Sequence, residues 1–84
     1  MQKIECWAVR EQYAYDEDDI HYFTSQELAK EFYDFEYNDY IRAFSDIKKR
    51  EVEDGICILN EIGEFVYSIT LYETVVKFYD EKFW

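Results

Sequence analysis

Eighty-four residues suffice for one domain and not for two, because an independent core usually needs on the order of 50 to 200 residues. Hydrophobic residues make up 49% and aromatics 21% of the chain, which excludes a disordered polypeptide and predicts a single α+β domain over residues 1–84. Twenty Asp and Glu against nine Lys and Arg leave a formal charge of −11, so direct binding to nucleic acid or to an anionic membrane is not expected, and a charged partner should be basic.

The first ten residues, MQKIECWAVR, hold no apolar signal-peptide stretch, and nowhere do 18 apolar residues run together, so a cytoplasmic protein is expected. Ile4, Cys6 and Ala8 alternate with Lys3, Glu5 and Trp7, a period of two that predicts a half-buried strand extending toward Tyr13 and Tyr15. The Asp16, Glu17, Asp18 and Asp19 run repels itself and predicts a solvated turn before a short second strand at residues 20–23. Thr24 and Glu27 have the spacing of a capping box, with Phe23 and Leu28 as its hydrophobic staple, so a helix is expected from Ser25. Its apolar face would be Leu28, Phe32 and Phe35, with Glu27, Glu31, Asp34 and Asn38 on another face. Asp34, Glu36 and Asp39 crowd the negative end of the helix dipole, where each acid is unfavourable by roughly 0.3 to 1 kcal/mol, so stability does not account for them.

Residues 40–47 alternate again and predict a third strand, with Lys48, Lys49 and Arg50 marking its exposed end. Residues 56–59 and 65–71 predict a second hairpin around the turn at residues 60–64, where Gly63 supplies a positive φ. Beyond Leu71 two readings stay open. Leu71, Val75, Phe78 and Lys82 have helical spacing, with Thr70 and Glu73 as a second capping box, whereas Thr74, Val75 and Val76 are β-branched and favour a strand running into a short terminal helix. The expected fold is α+β, one antiparallel sheet of four to five strands packed on one amphipathic helix in the order β-β-α-β-β.

Catalytic chemistry is sparse. His21 is the single histidine, and two isolated glycines cannot build a phosphate cradle, so no catalytic residue is assigned and an enzyme is not expected. Asp16, Asp18 and Glu27 fall at positions 1, 3 and 12 of a calcium loop, but Ile20 and His21 stand where an oxygen ligand and a glycine are needed. No metal and no cofactor are therefore expected. Cys6 and Cys57 read as small buried hydrophobes on strands.

Two properties coincide in one part of the chain. Residues 11–39 carry ten of the twenty acids against Lys30 alone, a net −9, and ten of the eighteen aromatics lie within residues 13–44. Phe23, Phe32, Phe35 and Phe44 are expected in the core. Tyr33, Tyr37 and Tyr40 lie close to Glu36 and Asp39, where their rings could stack on an incoming guanidinium. The candidate partner-binding set is thus Asp16, Glu17, Asp18, Asp19, Glu27, Glu31, Asp34, Glu36 and Asp39 with Tyr33, Tyr37 and Tyr40.

In its size, acidity, abundance of Tyr and Phe and lack of proline, and in the Asp16–Asp19 run together with Glu27, Glu31, Asp34, Glu36 and Asp39, the chain resembles the small acidic phage-encoded inhibitors of host defence that mimic DNA, among them antirestriction, anti-CRISPR and glycosylase-inhibitor proteins. That resemblance implies a stoichiometric, non-catalytic inhibitor of a nucleic-acid-binding enzyme, often homodimeric, acting in the bacterial cytoplasm. Lys48, Lys49 and Arg50 depart from a uniformly anionic surface and favour one anionic face. The alternative is a small acidic adaptor or structural accessory protein that meets a partner or a second copy through an apolar or aromatic patch, from the hairpin of residues 56–76 or the Phe83 and Trp84 terminus.

Overall fold

A computed structural model describes residues 2–43 and 47–78. Strands β1 (Gln2–Tyr13) and β2 (Asp19–Phe23) are followed by helix α1 (Gln26–Arg42) and by β3 (Lys48–Val52), β4 (Gly55–Leu59) and β5 (Phe65–Phe78). The five strands form one antiparallel sheet in the order β2-β1-β5-β4-β3, and α1 lies across β2, β1 and β5 on one side of it. The fold is therefore the expected α+β class, with one strand more after the helix than the expected order. Among the described residues no helix is long and apolar enough to cross a membrane.

The pairing of β1 with β5 is the spine of the sheet, running from Gln2 opposite Phe78 to Tyr13 opposite Tyr67. A period of two puts Trp7, Val9, Glu11 and Tyr13 on the helix side, and Val9 joins Ala29, Ile58, Tyr67 and Ile69 in the buried core. Ile4, Cys6 and Ala8, the alternating set expected to mark the core side, lie on the opposite face. Cys6 and Ala8 are buried there, but Ile4 is 42% exposed.

Helix α1 begins one residue later than the capping-box reading placed it. Ser25 is the N-cap, with extended φ and ψ, and its Oγ accepts from the Leu28 backbone N–H at 3.4 Å, the role assigned to Thr24. The buried stripe also differs from the expected one. Ala29, Phe32, Tyr33, Glu36, Tyr37 and Tyr40 recur at i, i+3, i+4, i+7, i+8 and i+11 and face the sheet, while Leu28 and Phe35 are exposed. Ala29 has no side chain beyond Cβ and is fully buried, so the helix backbone comes close to the sheet there and the longer tyrosines fill the space on either side. Phe23 packs against Phe32 with tilted rings, centroids 5.3 Å apart, in place of the expected staple with Leu28.

The strand expected at residues 40–47 does not form as such: residues 40–42 complete α1, and Arg42 in the last turn suits the negative end of the dipole. Lys48, Lys49 and Arg50, expected to cap that strand, instead belong to edge strand β3, where charged side chains discourage further pairing. Phe44, an expected core residue, lies outside the described residues. The second hairpin forms as expected. Asn60 Oδ1 accepts from the backbone N–H groups of Ile62 (3.1 Å) and Glu64 (2.9 Å), and Gly63 takes φ 87°. The segment after Leu71 is strand as far as Phe78, which removes the second capping box at Thr70 and Glu73. The expected terminal helix and the patch at Phe83 and Trp84 lie outside the described residues.

Candidate functional site

The acids of the candidate set separate into three environments. On α1, Glu27, Glu31 and Asp34 follow one another at i, i+4 and i+7 and point away from the sheet, opposite the stripe that buries Ala29 and Glu36. All three are exposed, and among the described residues none forms an ion pair. Asp39 is exposed as well.

The second group sits in the connection between β1 and β2. Asp16, Glu17, Asp18 and Asp19 are exposed, and Asp16 Oδ1 accepts from the Glu17 backbone N–H at 2.9 Å. Asp18 turns back onto the sheet, where Arg10 donates to its Oδ2 through Nη2 at 2.6 Å and Nε at 3.2 Å, raising the guanidinium pKa further. One carboxylate of the run is thus neutralised internally. The turn shares an end of the molecule with the C-terminal half of α1, since Tyr13 feels both Asp19 and Glu36.

The third environment is interior, and sequence reasoning did not find it. Glu11, near the C-terminal end of β1, is 3% exposed. Tyr67 of β5 donates to Glu11 Oε2 at 2.6 Å and Tyr13 to the same oxygen at 3.3 Å. Glu36 reaches down from α1 to the Glu11 carboxyl, with which it can form a hydrogen bond when one of the two is protonated. Burial first, and then the Glu11 charge and that hydrogen bond, hold the Glu36 pKa above its ordinary value of 4.5, while His21 works the other way. Burial, followed by Glu11 and Asp19, pushes the Tyr13 hydroxyl up to about 12. Burial, followed by the hydrogen bond to Glu11 and the Glu11 charge, raises Tyr67, whose ring stacks on Tyr40 with centroids 3.9 Å apart and planes within 10°. The sequence signal was available: Glu11 falls on the same alternate positions of β1 as Trp7 and Val9, and that set has as strong a claim to the core as Ile4, Cys6 and Ala8.

The tyrosines are the main correction to the candidate set. Tyr33, Tyr37 and Tyr40 are half-buried and packed against the core. Tyr33 and Tyr37 stack on each other at 6.4 Å, and Lys49 Nζ stands 5.6 Å from the Tyr37 ring centroid. The cation expected from a partner is supplied by β3 of the same chain. Glu36 likewise faces inward and leaves the outward anionic set.

Glu11 is buried behind two tyrosines that donate to it, out of reach of a substrate in solution. The arrangement makes Glu36 harder to ionise and ties α1 to the sheet. His21 packs on Phe32 at 4.6 Å. Strand β2 separates Asp16 and Asp18 from Glu27, so these three do not share a loop, and no group of three or more metal-ligating side chains occurs among the described residues.

The raised Glu36 pKa has a definite sign in stability. The folded state holds this proton more tightly than the unfolded chain, so the Glu36 contribution is fully present below about pH 4.5 and is lost as pH rises through the higher folded pKa. Glu36→Gln, whose amide can donate to Glu11 without a charge, should therefore raise thermal stability at pH 7, by at most ~1 kcal/mol because the group is partly solvated. The gain should vanish near pH 4. Glu27→Gln, which removes the same charge from the exposed face, should show no such pH-dependent gain in melting scans. Equal behaviour of the two variants would remove Glu36 from the pair.

Comparison with known proteins found no matching family model, no matching curated protein and no matching solved structure.

Proposed function

We propose that this protein is a non-catalytic binding protein that offers carboxylates to a basic protein surface, of the kind that lines the nucleic-acid groove of a DNA-processing or defence enzyme. The observation that carries this reading is the outer face of α1, where Glu27, Glu31 and Asp34 are exposed and unpaired among the described residues. At 1.5 Å rise per residue these three are spaced about 4.5 to 6 Å along the axis, sparser than the phosphates of one DNA strand at 3.4 Å. Asp16, Glu17, Asp19 and Asp39, at the end toward which α1 runs, extend the row. The half-buried tyrosines pack against the core beneath the helix, so the carboxylates carry the contact in this reading. The internal ion pair of Asp18 reduces the contribution of that residue.

The reading is tested by competition. Purified restriction nucleases, Cas nucleases and DNA glycosylases are loaded with labelled duplex, and the protein is added at two salt concentrations. Displacement that weakens with salt and disappears in the Glu27→Gln, Glu31→Gln, Asp34→Asn triple variant, with its circular dichroism unchanged, is the expected result. Failure to displace duplex from any of these enzymes, or displacement indifferent to the three substitutions, would discard it. The adaptor alternative draws support from an apolar recess of about 340 Å³ on the other side of the sheet, lined by Ile4, Cys6, Tyr22, Phe23, Thr24 and Val76.

A further inference from the structure

The strands sort their charges by side. Every carboxylate they carry, Glu5, Glu11, Asp19, Glu51 and Glu73, occupies a register position on the helix side: Glu11 pairs with Asp19 and Ile69, Glu51 with Ile56, Glu5 with Val75 and Glu73 with Trp7. The alternate positions form the face that no described element covers, and the charged residues there are Arg10, Lys48 and Arg50. Arg10 is already paired with Asp18. In a chain of net charge −11 this is the one side of the sheet where another molecule of the same protein meets no strand carboxylate.

The composition of this face is that of an interface. Ala8, fully buried, has Tyr22 and Tyr72 as its cross-strand neighbours, and around them Ile4 (42%), Ile20 (41%) and Tyr22 (55%) are large apolar groups left exposed. Interface cores are enriched in tyrosine and depleted in Asp and Glu. Strand lengths of twelve and fourteen residues for β1 and β5, and five for each of the others, give a footprint on the order of 650 Å² in projection at 3.3 Å per residue and 4.8 Å between strands. Roughly three quarters of it, on β1, β5 and β2, lies around Ala8, less than the ~800 Å² per partner of a standard stable interface, so the contact is that of a weak dimer.

We propose that the open sheet face, centred on Tyr22, Ala8 and Tyr72, is the contact surface of a two-fold symmetric homodimer. Two such sheets pack about 10 Å apart. With the two-fold axis perpendicular to the strands and passing over Ala8, Tyr22 of one copy lies over Tyr22 of the other and Tyr72 over Tyr72. Lys48 and Arg50, on edge strand β3 away from this centre, stay at the rim. The acidic helices are left on the two outer surfaces, so the dimer is compatible with the anionic-face function and does not depend on it.

Sedimentation and light scattering of the full chain over a range from micromolar to about millimolar concentration test the proposal. The expected result is a mass that doubles with concentration. Ile4→Glu combined with Tyr22→Glu, both at exposed positions, should weaken association at least ~100-fold because it puts carboxylates at the interface centre. Lys48→Glu with Arg50→Glu, at the exposed edge away from the centre, should change it less than ~10-fold. Phe35→Glu, on the exposed flank of α1, should leave it unchanged. A chain that stays monomeric across the range, or a dimer that persists in the folded Ile4 and Tyr22 variant, would overturn the assignment, as would a dimer lost on Phe35→Glu.

Discussion

Gly55→Ala is expected to be the most damaging small substitution in this chain, costing at least ~3 kcal/mol and lowering the melting temperature by on the order of 15 °C. Gly55 opens β4 opposite Thr70. A Cβ added there would run into the Ile69 carbonyl oxygen and stand 2.8 Å from the Thr70 Cα. Both obstacles are backbone, so neither can rotate away. Strand β4 must move off β5, and the move disturbs Ile58 and Ile69, two fully buried residues of the core, while β3 loses its support because it pairs with β4 alone. Gly63→Ala is the matching control. Nothing lies within 4 Å of its added Cβ, and only the φ of 87° opposes the change, at a cost of about 1 kcal/mol. Denaturant midpoints for the two variants measure the difference. If Gly55→Ala melts as close to the parent as Gly63→Ala does, the tight approach of β4 to β5 is wrong.

Glu11→Ala should be the next largest, with a loss of about 2 to 4 kcal/mol. The Tyr67 hydroxyl is fully buried and donates to Glu11 at 2.6 Å, so truncation strands it without an acceptor and opens a void under α1. Removing the Glu11 charge also relieves Glu36, which works in the opposite direction and keeps the loss below that of an isolated buried ion pair. Glu11→Gln retains an acceptor for Tyr67 and gains a donor toward Glu36, so it should cost less than about 1 kcal/mol. A Tyr67→Phe change in the Glu11→Ala background should add little, because the stranded hydroxyl is then gone. Additive losses in that double-mutant cycle would show that Tyr67 and Glu11 do not act together.

Both positions show where reading the chain succeeds and where it stops. The turns were legible because their chemistry is local: Asn60 and Gly63 direct the second hairpin through hydrogen bonds and a φ that lie within five residues of each other. The helix was legible for the same reason, although its cap fell on Ser25 instead of Thr24, a choice between adjacent hydroxyls that either could have satisfied. The charge segregation by strand side was also present in the sequence, because alternation puts Glu5 and Glu11 on one side and Arg10 on the other. It became visible only with the register of the partner strands.

Short-range patterns along the chain specify the fold class, two hairpins, an amphipathic helix with Glu27, Glu31 and Asp34 on its outer face, and a strong excess of negative charge. Local periodicity and net composition carry that information without reference to any distant residue. Which side of β1 receives the helix, whether the Tyr33, Tyr37 and Tyr40 rings point in or out, and the union of Glu11 with Glu36 and Tyr67 were decided by the tertiary structure alone. Those outcomes turn on volume and hydrogen-bond partners contributed by segments as far apart as residues 11 and 67. A tyrosine or glutamate is stable inside only when such a partner arrives to satisfy its oxygen.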